Sequence, residues 1–250
     1  MSASHGVGRG ARTALVWSAA AAVIQWTVTE FTLRGPLTHL FVEGLRKTGA
    51  GLSPPARLEV SAFLIAPITI TLGAMFVCRA RRDGLTPPGL GYQCDRRRVV
   101  AGALGGVAAL MVSVLAVMAD SCLVAAPAIQ ERFITRVSAA AIPALVALVL
   151  GNGVLVPVVE EFAWRGYIQT RLVGAWSPAA AVVTTAALFA LKHVVVDGSV
   201  VRMTTLLTGA FTLGLIGYRY GTAASTMAHV ILNVTGTAAS VAVTFLIAPP

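Results

Sequence analysis

Apolar residues run in seven long blocks: Thr13 to Leu33, Leu58 to Val77, Val99 to Ala119, Val137 to Val159, Ser177 to Val196, Val200 to Tyr218 and Ala223 to Ile247. Each is close to the ~20 residues that carry a helix across a bilayer. Lone Pro67, Gly105, Gly106, Pro143 and Pro157 interrupt the blocks, but neighbouring helices satisfy freed backbone groups in a membrane, so these residues do not split a span. Strands of a membrane barrel would instead alternate apolar and polar positions over about ten residues, and no such alternation runs through the chain. The pattern predicts an all-α, polytopic transmembrane helix bundle of about seven spans, with an eighth if Ser121 to Arg136 also dips into the membrane.

Loops are short except Arg34 to Arg57 and Arg79 to Arg98, each punctuated by a Pro-Pro pair. Gly151-Asn-Gly153 and Pro157 predict a break or kink in a helix of more than thirty residues. Tight turns are expected at Gly174 to Pro178, at Asp197-Gly198 and at Arg219 to Thr222. The chain divides into residues 1–136, three spans with no motif, and residues 137–250, where the intramembrane polar residues gather.

Composition strengthens this picture: 56% of residues are hydrophobic and 12% charged, and the mean hydropathy is +0.80, far from a soluble domain. The net charge of +9 could suggest nucleic acid, but that requires a basic face on a soluble module. Here the densest basic stretch is one loop, Arg79, Arg81, Arg82, Arg96, Arg97 and Arg98, which the positive-inside rule places in the cytoplasm. Arg9 and Arg12 put the N-terminus on the same side. The first block is long and carries Gln25 and Glu30, so it reads as an uncleaved span rather than a signal peptide. A chain rich in Ala, Val, Gly and Arg suggests a bacterial cell membrane. Three cysteines without CxxC spacing give neither a disulfide framework nor a zinc site.

Candidate chemistry lies in the C-terminal part. A carboxylate at membrane depth is costly, so Glu160 and Glu161, following an uncharged run, read as functional. Three pairs recur four residues apart, each on one helix face: Glu161 with Arg165, Phe189 with His193, and His229 with Asn233. Counted from the turns at ~1.5 Å per residue, Glu160, His193, His229 and Asn233 fall at compatible depths near mid-membrane. Arg165 can neutralise Glu161, leaving Glu160 with no partner on its own helix. A desolvated carboxylate holds a proton readily, which suits a general base near neutral pH. His193 could share the activated water, and His229 and Asn233 offer N–H donors for an oxyanion.

These pairs carry a resemblance. EEFAWRG from Glu160, FALKH from Phe189 and HVILN from His229 are similar, in order and spacing, to the EExxxR, FxxxH and HxxxN motifs of the CPBP family. These are the CAAX-protease and bacteriocin-processing (Abi) membrane proteins, which include the Ras-converting CAAX endopeptidase. The resemblance covers about Pro157 to Val234. It implies an intramembrane endopeptidase in which Glu160 and His193 activate water, His229 and Asn233 form the oxyanion hole, and Glu161, Arg165 and Phe189 support them.

Two glutamates and two histidines would also suit a metal, but HExxH and the Glu-x-x-His pattern of bundle di-iron sites are both absent. No cofactor or metal is expected. GxSxG is absent as well. The competing class is a non-catalytic scaffold or transporter-like protein that uses the same residues as a buried polar network. Membrane lipid and a peptide or protein substrate are the expected partners, and nucleic acid is not.

Overall fold

The computed structural model describes residues 8–47, 54–123 and 141–247, and every regular element among them is a helix. Helix α1 (Arg9–Thr32) passes through a π-helical stretch (Leu33–Leu37) into α2 (Thr38–Lys47). Helices α3 (Pro54–Arg82) and α4 (Arg96–Leu123) follow. A composite helix comes next, formed by α5 (Ile142–Leu150), a π stretch (Gly151–Leu155), α6 (Val156–Glu161), a second π stretch (Phe162–Gln169) and α7 (Thr170–Ala175). Helices α8 (Pro178–Asp197), α9 (Met203–Tyr220) and α10 (Thr222–Ile247) complete the described chain.

Six helices among the described residues are long and apolar enough to cross a membrane, including Ile142–Ala175 as one continuous element. The seventh block is α9, whose threonines and glycines make it less apolar; it packs against α4, α8 and α10. The protein is a multi-pass membrane protein. Most of Ser121 to Arg136, the segment considered for an eighth span, lies outside the described residues.

One expectation is corrected. The long loop from Arg34 is helical as far as Lys47, with Pro36 taken up inside the π stretch. The break or kink expected at Gly151 to Pro157 takes the form of a π turn at the two glycines, with Pro157 following it inside a helix that continues unbroken. No re-entrant segment therefore forms there. The short turns are as expected. Ser177 caps α8 by accepting from the Ala180 N–H, and Gly198 ends it at φ 62°, the left-handed region glycine occupies without strain.

An edge-to-face aromatic chain ties the bundle together. Trp26 of α1 meets Phe76 of α3 at 5.4 Å and Trp164 at 6.3 Å, and Trp164 meets Phe189 of α8 at 5.2 Å. All four rings are buried, so burial adds to the specific ring geometry. Helix α10 lies against α4 and the first π stretch. At Gly153 an added Cβ would come within 2.9 Å of Val234, so only glycine admits this approach.

The two ends of the bundle differ. At one, Arg79 donates to the Tyr167 hydroxyl at 3.0 Å, to Gln25 at 2.7 Å and to the Ser18 carbonyl at 3.2 Å, while Tyr167 and Arg171 both donate to Asp83. Partial burial pushes the Asp83 carboxyl up, but these donors outweigh it and hold it below the usual carboxylate range. The α9–α10 turn joins this end through the Ala223 N–H to the Gly91 carbonyl and Arg98 to the Tyr220 carbonyl. At the other end Asp120 accepts from the backbone of Thr204 and Thr205, capping the start of α9. Arg79, Arg98 and Arg171 share the first of these ends, which the positive-inside rule would place in the cytoplasm.

This orientation is testable with single cysteines at Arg96, Ser177 and Pro250 in a cysteine-free background. A membrane-impermeant thiol reagent on intact cells is expected to label only the last. Labelling at Ser177 without Pro250 inverts the C-terminal part.

Candidate functional site

The composite helix delivers Glu160 and Glu161 between its two π stretches, the local irregularity often found where a helix must aim side chains at a site. Glu160 lies eleven positions before Arg171, about 17 Å along a helix from the end of the bundle where Arg171 meets Asp83. Both glutamates are buried, Glu161 completely.

All seven residues singled out from the sequence lie in one region. Glu160 Oε1 is 3.9 Å from His193 Nε2 on α8, and Glu160 Oε2 is 4.0 Å from His229 Nε2 on α10. Glu161 Oε1 forms an ion pair with Arg165 at 2.9 Å and a 2.8 Å hydrogen bond with His229 Nδ1. Arg165 also donates to the Ala210 carbonyl at 2.9 Å, locking α9 to the composite helix. Asn233 Nδ2 donates to the Asn152 carbonyl at 3.0 Å in the first π stretch.

Phe189 is the packing centre. Its ring meets His193 at 5.0 Å and His229 at 6.5 Å, and the Arg165 and Lys192 cations lie over it at 4.9 and 5.1 Å. Edge contacts with this ring pack both imidazoles, while cation–π attraction holds the two cations over it. On the far side of His193, Nδ1 is 3.6 Å from Asp197, which Arg202 holds at 3.0 Å.

Two residues of this site escaped the sequence reading. Lys192 Nζ lies 2.7 Å from Glu160 Oε1 and 2.9 Å from Glu30 Oε2 of α1. Glu160, unpartnered on its own helix, is therefore paired across helices. Glu30 also accepts from Trp26 Nε1 at 2.6 Å and faces Arg34 at 3.2 Å. The rule that flagged Glu160, an ionisable group deep in an apolar run, applies equally to both residues. Lys192 stands at a variable position of the FxxxH motif, and Glu30 near the end of the first apolar block.

The charges balance: Glu30, Glu160 and Glu161 face Arg34, Lys192 and Arg165. A neutral sum is what makes such a cluster tolerable in low dielectric. Among the described residues no three His, Cys, Asp or Glu side chains converge as a metal shell. The donor arrangement agrees with this, since an ammonium rather than an open coordination position faces Glu160 Oε1.

Fold and site together define a polytopic membrane protein with a buried, charge-balanced cluster of carboxylates and imidazoles inside its helix bundle. The segment bearing the cluster, residues 142–235, matches the family model described as Type II CAAX prenyl endopeptidase Rce1-like. This is the CAAX-protease family that the three motifs resemble, and the match supports a membrane protease. No curated protein and no solved structure matches the chain.

Proposed function

We propose that the chain is an intramembrane endopeptidase that hydrolyses a peptide bond of a membrane-associated substrate, with Glu160 as general base. The supporting observation is the 3.9 Å separation of Glu160 Oε1 from His193 Nε2, too long for a direct hydrogen bond and short enough for one shared water. With Nδ1 turned to Asp197, a neutral His193 presents Nε2 as an acceptor. A water giving one hydrogen to His193 and the other to Glu160 points a lone pair at the scissile carbonyl carbon. Its oxygen bonds to that carbon as Glu160 takes the proton, and the C=O π pair moves onto the carbonyl oxygen. Collapse of this intermediate breaks the C–N bond, and Glu160 returns the proton to the leaving nitrogen.

His229 and Asn233 face the developing oxyanion in this reading. Asn233 has a second N–H besides the one given to Asn152. His229 is more constrained. Its Nδ1 must donate to the Glu161 carboxylate, so Nε2 can donate only when the ring takes up a second proton, an added positive charge that the developing oxyanion offsets. Glu161, 2.8 Å away, supplies the counter-charge, which gives the second glutamate of the motif a reason to be there.

The full pairing of Glu160 by Lys192 is the observation that favours the scaffold reading. The two separate in one experiment: the purified protein in proteoliposomes with an internally quenched, prenylated peptide ending in a CAAX sequence, its unprenylated counterpart alongside. Single-site cleavage, persisting after treatment with strong zinc chelators, is expected. Loss on chelation with recovery on one divalent metal replaces the glutamate mechanism, and no cleavage of either peptide supports the scaffold.

A further inference from the structure

We propose that Lys192 is a positioning residue for Glu160, and that Glu30 on α1 is the counter-ion that holds Lys192 in place, so that the first helix completes the site. This rests on the reading of Glu160 as general base and goes beyond it, because the three motifs include neither residue.

The geometry is specific. Lys192 is 2% exposed, and a buried ammonium needs anions to be stable. It has two, at 2.7 Å and 2.9 Å, from different helices, with the Phe189 and Trp26 rings at 5.1 and 5.6 Å on its remaining sides. Glu30 cannot swing away from it readily. Trp26 Nε1 donates to the same oxygen that Lys192 contacts, and Arg34 holds the other. The ammonium takes Glu160 by Oε1 only and leaves Oε2 turned toward His229. The oxygen that shares a water with His193 is thus the one the ammonium fixes.

Charge counting points the same way. Glu30 would suffice for Lys192 alone, but three cations then face two carboxylates unless Glu160 is also ionised. Lys192 accordingly holds Glu160 in the carboxylate form that a base requires, and sets the oxygen that a water must meet. A misplacement on the order of 1 Å costs about 10²-fold in rate.

The test uses Lys192→Met, Lys192→Arg and the double variant Glu30→Gln/Lys192→Met, in proteoliposomes with the prenylated peptide. The double variant removes one buried charge of each sign, so it is the one to use if Lys192→Met alone fails to fold. Both methionine variants are expected to lose about 10²-fold in kcat with KM little changed, and Lys192→Arg to recover part of the loss. A second readout needs no substrate. Dicyclohexylcarbodiimide modifies protonated carboxyls in apolar surroundings. Mass spectrometry is expected to find it on Glu160 in both methionine variants and not in the wild type. A double variant that folds, turns over at the wild-type kcat and stays unmodified at Glu160 overturns the proposal. If the wild type cleaves no peptide, the protease reading fails, while the labelling still decides the role of Lys192.

Discussion

Glu160→Gln lowers turnover of the prenylated peptide by about 10²–10⁴-fold, the usual contribution of a positioned general base, while the protein still inserts, purifies and unfolds cooperatively. The second half of this expectation comes from the structure. Removing one carboxylate from a buried ion pair normally strands its partner, but Lys192 keeps Glu30 at 2.9 Å. Glutamine also preserves an oxygen that can accept from the ammonium. The measurement is steady-state cleavage paired with thermal unfolding in detergent. Wild-type turnover by a folded Glu160→Gln protein sinks the general-base assignment.

Arg165→Met is expected to act on stability first. The guanidinium is buried, pairs with a fully buried Glu161 at 2.9 Å, donates to the Ala210 carbonyl at 2.9 Å and covers the Phe189 ring at 4.9 Å. Breaking a buried pair from one side typically costs about 3–5 kcal/mol, because the remaining charge stays in low dielectric. The unfolding temperature in detergent should fall steeply. Glu161→Gln/Arg165→Met should recover most of that fall, since it removes both charges. The double variant should nevertheless remain slow, because His229 loses the carboxylate that orients its Nδ1. A double variant as unstable as Arg165→Met would mean that the ion pair is not the source of the effect. Wild-type stability in Arg165→Met would remove its structural role altogether.

The fold was legible to an unusual degree because a bilayer leaves few solutions: backbone groups must be satisfied within each segment, so long apolar runs become helices. The error fell where that constraint relaxes. Arg34 to Lys47 looked like loop because its charges and Pro36 break the apolar run, yet the helix continues through a π turn. At Gly151 to Pro157, where a break or kink is expected, the irregularity is a π turn inside a continuous helix. Propensity counts residues that disfavour an α-helix but not a helix one residue wider per turn.

The sequence by itself determined which residues meet within a helix. Spacing of four residues put Glu161 beside Arg165, and His229 on one face with Asn233, since a helix has a fixed period. Tertiary structure alone decided the partners across helices: Lys192 between Glu160 and Glu30, His229 on Glu161, Asn233 on the Asn152 carbonyl. Such contacts depend on crossing angles and helix rotation, which packing at positions such as Gly153 against Val234 sets and no local pattern encodes. A buried ion must find a counter-ion, and that follows from the sequence and the membrane together. Which ion it finds, 162 positions away in the case of Lys192 and Glu30, is fixed only when α1 closes against α8.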